Sequence, residues 1–141
     1  MKRKLTWPIF WALIGVFIVV VCLFFVPAFR DLLRGSELFL VPIAIFFLLG
    51  AALIFLTLKE KVGGILQKFL LLTGASAVGF LVSILLHNAI YGLFIYFFGA
   101  NFWDRISLGD EPVFFIVAII ICPIGFLVGV AGSIVLAIKN R

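Results

Sequence analysis

Ile65–Phe98 reads ILQKFLLLTGASAVGFLVSILLHNAIYGLFIYFF. After Lys68, thirty residues pass in which His87 is the only acidic, basic or imidazole side chain. The apolar residues run on without alternating, which is the pattern of a buried helix and not of a half-exposed strand. In lipid a helix also satisfies its own backbone N–H and C=O groups, whereas an isolated strand does not. As one helix these residues would be about 51 Å long, against a hydrocarbon core of about 30 Å. The sequence therefore predicts a membrane part from Ile65 to about Asn88, followed by an aromatic extension from Ile90 to Phe98. Tyr91, Phe94, Tyr96, Phe97 and Phe98, with Phe102 and Trp103 beyond them, suit an interfacial aromatic belt. A strongly tilted helix or a partner-docking surface fits the same residues.

Working outward, three more apolar runs appear: about Trp7–Phe29, Leu38–Leu58 and Pro112–Ile138. Each exceeds the roughly 18 residues that mark a membrane-spanning candidate. The 141-residue chain is 66% apolar and only 12% charged, with a mean hydropathy of +1.40. A domain of this size cannot bury that much apolar surface by folding on itself. These values exclude an ordinary soluble domain, a disordered tail and a disulfide-framed secreted module. The expected fold is all-α: a polytopic four-transmembrane-helix bundle with short loops, in one transmembrane domain over residues 1–141. Lys and Arg next to the apolar start resemble a signal peptide, but the run outlasts a signal h-region and reads as a retained anchor.

Local capping signals agree with these boundaries. Thr6 before Trp7-Pro8, Ser36-Glu37, and Asp110-Glu111-Pro112 each suit a helix N-terminus, and Gly63-Gly64 suits a turn. Eight of the eleven Lys and Arg residues fall at the termini or between spans 2 and 3. By the positive-inside rule both termini are cytoplasmic, in the plasma membrane. The net charge of +5 then reflects topology and contact with anionic lipid, not nucleic-acid binding.

Chemistry has little to work with. The interiors of spans 1, 2 and 4 contain no Asp, Glu, Lys, Arg or His, although coupled transport usually needs such groups. Cys22 and Cys122 stand singly in apolar runs and read as small core residues. No nucleophile motif, phosphate-binding loop or zinc motif is present, and no cofactor is predicted. The candidate polar site is His87 with Asn88 and Tyr91, facing the loop acids Asp104, Asp110 and Glu111. His87 with these acids could ligate a divalent metal, act as a proton-sensitive gate, work as an acid or base on lipid, or simply fix helix packing.

Two stripes of small residues predict close helix packing. On span 3, Ala75, Gly79 and Ser83 recur every four residues and lead to His87; on span 4, Gly125, Gly129, Ser133 and Ala137 do the same. Their partner is an internal helix or a second subunit. Pro123 should kink span 4, freeing a carbonyl near Ile119, and is a candidate hinge. Many of the eighteen phenylalanines must face lipid; Phe46-Phe47, Phe97-Phe98 and Phe114-Phe115 could also line a lipid or quinone cleft. The expected role is a non-enzymatic, self-associating or accessory subunit of a membrane assembly. Its partners would be the bilayer and other membrane subunits or its own copies. The alternative is a small oligomeric transporter or channel for an uncharged or lipophilic solute.

Overall fold

The computed structural model describes residues 5–33 and 35–139. Lys2, Arg3, Lys4, Arg34 and Arg141, all counted in the charge asymmetry, lie outside them. The described residues form α1 (Thr6–Phe25), α2 (Pro27–Leu32), a 3-10 turn (Glu37–Phe39), α3 (Leu40–Lys59), α4 (Gly64–Phe98), α5 (Phe102–Arg105), α6 (Pro112–Ile116), a π turn (Val117–Ile121) and α7 (Cys122–Lys139). Four helical stretches, Thr6–Phe25, Glu37–Lys59, Gly64–Phe98 and Pro112–Lys139, are long and apolar enough to cross a membrane. The architecture is an all-α four-helix bundle.

The boundaries follow from local chemistry. Span 1 stops at Phe25, four residues before the sequence-based limit. Pro27 disfavours the helical conformation in the residue before it, and Val26 is extended at φ −97°, ψ 110°. The Ser36 hydroxyl accepts from the Leu38 amide and starts the 3-10 turn. Thr6 does not cap its own helix as the sequence suggested. It is the first residue of α1, and its buried hydroxyl donates to Glu60 Oε2 at 2.7 Å. The Leu5 amide donates to Glu60 Oε1 at 2.7 Å. A carboxylate from the end of α3 thus occupies the positive end of α1.

Span 3 is a single α-helix of 35 residues, in which the aromatic stretch from Ile90 to Phe98 continues the helix without a break. It ends at Gly99, whose φ of +95° is accessible to glycine. In its most apolar window 39% of residues are buried, against 17–22% in the other three spans. α4 is therefore the central helix, packed on α3 along one side and α7 along another.

Both sides use small residues. A Cβ on Gly50 of α3 would lie 2.7 Å from Ala77 Cβ and 3.0 Å from Gly74 O, so the α3 and α4 backbones nearly touch. A Cβ on Gly125 would lie 2.6 Å from Ser76 Oγ, and one on Gly129 would lie 2.8 Å from Thr73 N and 2.9 Å from Phe69 O. Ser133 is fully buried below them. The span 4 stripe therefore meets α4 of the same chain, which answers the choice between internal helix and second subunit for Gly125 and Gly129. Ala137 is half-buried. On span 3 the register differs from expectation: Ala75 is exposed, while Thr73, Gly74, Ser76 and Ala77 are buried. Gly79 approaches Cys122 Sγ, where an added Cβ would lie 3.3 Å away, and Ser83 is buried and hydrogen-bonds with Cys122.

Aromatic rings fill the remaining core. Phe17 of α1 stacks on Phe126 of α7 with centroids 4.4 Å apart, and Phe46 packs against both. Pro123 lies two residues past the end of the π turn, after Cys122. The ring lacks an N–H and crowds the carbonyl four residues back; the wider turn at Val117–Ile121 accommodates both effects.

Candidate functional site

The alternation of the spans brings the 26–39 and 99–111 connections to one end of the bundle. His87 lies on α4 at that end, beside the start of α6. Pro112 occupies the first turn of α6, where its missing N–H has no consequence, and Glu111 is the N-cap. Glu111 Oε1 accepts from the Val113 amide at 2.7 Å and the Phe114 amide at 3.2 Å; Oε2 accepts from Phe114 at 3.0 Å. The Glu111 amide donates to Asp110 Oδ1 at 2.7 Å. The acid pair expected to cap span 4 does so, and one of its carboxylates is buried in the process: Glu111 is 3% exposed.

His87 closes this turn onto α4. Its Nδ1 lies 3.1 Å from both the backbone oxygen and Oε2 of Glu111. Both atoms are acceptors, so Nδ1 must carry the proton and donate to them. Nε2 lies 3.6 Å from Asp110 Oδ1, too far for a hydrogen bond but close enough for attraction when the ring is an imidazolium. The Phe115 ring flanks the imidazole at 5.7 Å between centroids. The cluster clasps the start of the last span to the middle helix across 24 residues of sequence.

The remaining predicted polar residues serve other ends. Asn88 is exposed, and its Nδ2 donates to Ile84 O at 2.8 Å on its own helix. Tyr91 stacks on Trp103 at 5.8 Å with 9° between the planes, and the Trp103 indole donates to Tyr91 O at 3.2 Å. Asp104 is exposed, and its backbone oxygen accepts from Ser107 in the turn that ends α5. Of the three loop acids, only Asp110 and Glu111 reach His87.

This geometry limits the chemistry. Among the described residues no group of three His, Cys, Asp or Glu side chains is disposed to hold a metal ion. Glu111 has both oxygens engaged by helix amides and by His87, which leaves no free edge for ligation. As an acid–base pair, His87 and Glu111 point at each other. The arrangement is suited to holding two helices in register. The sequence missed one polar contact of the same kind, Glu60 with Leu5 and Thr6, because its partners lie more than 50 residues apart. No protein-family model, curated protein or solved structure matches the chain.

Proposed function

We propose that this chain is a non-enzymatic integral-membrane module that joins a larger membrane assembly, as an accessory subunit or through its own copies. The observation that carries this reading is the far end of α4. About 20 residues of rise from Lys68 consume the roughly 30 Å of hydrocarbon and reach Asn88. The helix then continues unbroken to Phe98, about 15 Å further. One side of this extension is covered by α5, where Phe94 and Phe98 pack on Phe102 and Trp103. The opposite side is bare: Leu93 is 51%, Tyr96 82% and Phe97 66% exposed. An aromatic surface at the membrane boundary supplies the large, rigid contact area typical of interface anchors.

The proposed setting is the plasma membrane with both termini cytoplasmic, from the positive charge flanking the N-terminus and the Lys59–Lys68 turn. Native mass spectrometry of the chain extracted from its own membrane in mild detergent tests the reading. The expected result is a stoichiometric complex with another membrane subunit or a second copy. A monomer with no co-purifying partner would overturn it.

A second reading, a small transporter or channel for an uncharged or lipophilic solute, draws support from the π turn beside Pro123. Such breaks can serve as hinges in transporters. Reconstituted solute flux that Pro123→Ala diminishes would support it; no flux would remove it.

A further inference from the structure

Two cavities adjoin on the same side of the bundle. The deeper one, of about 190 Å³, lies between α1, α3, α4 and α7. Its floor is the Phe17, Phe46 and Phe126 cluster, which closes the seam between α1 and α7. Val20 and Phe80 form its walls. The shallower one, of about 470 Å³, lies where α1 turns through α2 into the start of α3, and is lined by Arg30, Ser36, Glu37 and apolar neighbours. Phe24 lines both. The result is one groove with an apolar interior and a mouth that, among the described residues, carries one positive and one negative side chain, Arg30 and Glu37. Among the described residues neither Arg30 nor Glu37 takes part in an ion pair.

We propose that this groove binds one zwitterionic phospholipid with an ammonium headgroup, its acyl chain in the phenylalanine-lined cavity and its headgroup between Arg30 and Glu37. The charge pattern selects the class. A guanidinium pairs with phosphate oxygens through forked hydrogen bonds, and a carboxylate in the same mouth accepts from an ammonium. Phosphatidylglycerol offers Arg30 the same phosphate but meets Glu37 with neutral hydroxyls, whose uncharged hydrogen bonds are weaker than those of an ammonium. The apolar cavity exceeds the roughly 150 Å³ of an engineered cavity that admits benzene, so it is large enough for part of an acyl chain. From Phe24 down to Phe17 the helix descends about 10 Å, the depth available to the chain below the mouth. Partial exposure of Phe24 and Phe25 leaves a lateral way in from the bilayer.

Native mass spectrometry of the full chain, with dioleoyl phosphatidylethanolamine or dioleoyl phosphatidylglycerol added in equal amounts, tests this. The wild type should retain a single phosphatidylethanolamine at least fivefold over phosphatidylglycerol. Val20→Trp, which fills the cavity, should lower that adduct at least fivefold. Glu37→Gln lies at the exposed mouth, away from the core, and should abolish the preference between the two lipids even if Val20→Trp fails to fold. Free phosphoethanolamine, which lacks the tail, should not displace the lipid. Equal retention of both lipids by the wild type, an unchanged preference in Glu37→Gln, or displacement by free phosphoethanolamine would overturn the proposal.

Discussion

Replacing Gly129 by alanine should separate the last span from the middle helix. The new Cβ would meet Thr73 N at 2.8 Å and Phe69 O at 2.9 Å, and also the Thr73 hydroxyl. Two of these are backbone atoms that cannot rotate away. The hydroxyl is itself tied to Phe69 O at 2.9 Å. Restoring an ordinary contact of 3.4 Å from 2.8 Å requires 0.6 Å of helix displacement. A gap of that order forfeits a quarter to a half of the dispersion attraction of each atom pair it opens, and overpacking generally costs about 1–3 kcal/mol. We expect a loss of about 2–3 kcal/mol, since the seam is backbone against backbone. Gly15→Ala on α1 is the control, because nothing lies within 4 Å of its Cβ position; alanine's higher helix propensity makes it neutral or slightly stabilising. Equilibrium unfolding in mixed detergent micelles compares the two. Equal stability of Gly129→Ala and Gly15→Ala would refute the close α4–α7 packing.

Other changes probe the polar contacts. His87→Leu leaves the buried Glu111 carboxylate short of a donor and should cost about 1–3 kcal/mol; His87→Gln, which can still donate, should recover part of the loss in the same unfolding assay. Among the described residues Ser133 Oγ is buried without a hydrogen-bond partner, so Ser133→Ala should leave stability unchanged or raise it by up to about 1 kcal/mol. Glu60→Ala removes the acceptor for Leu5 N and Thr6 Oγ1 and should cost about 0.5–2 kcal/mol, as loss of a helix cap does. Faster hydrogen exchange at the start of α1 reads that change.

The spans, the Ser36 cap and the Glu111-Pro112 start of the last helix were legible because each depends on neighbours in sequence. The Gly125 and Gly129 stripe was legible for the same reason, although only the fold shows that it meets α4. On α4, Gly79 and Ser83 of the expected stripe meet Cys122 of α7, but Ala75 is exposed. A strict count of four from Ala75 assumes one straight face, but this helix packs on two partners. It buries Leu70, Thr73, Gly74, Ala77 and Phe80, a spacing of three and four, and one residue of error turns a face by about 100°. His87 was found because it is the lone imidazole in an apolar run. Its closure onto Asp110 and Glu111, with Asp104 left out, depends on the path of the 99–111 connection, which no local pattern encodes. The Glu60 contact and the groove between α1 and α7 arise only when distant segments meet.

Site-specific photocrosslinking in native membranes tests the assembly role most directly. A benzophenone amino acid in place of Phe97 would sit on the bare side of the α4 extension, and one in place of Ile120 on the exposed side of the last span. The expected result is a discrete protein adduct from position 97 and lipid adducts alone from position 120. Lipid adducts alone from both positions would contradict the assembly role.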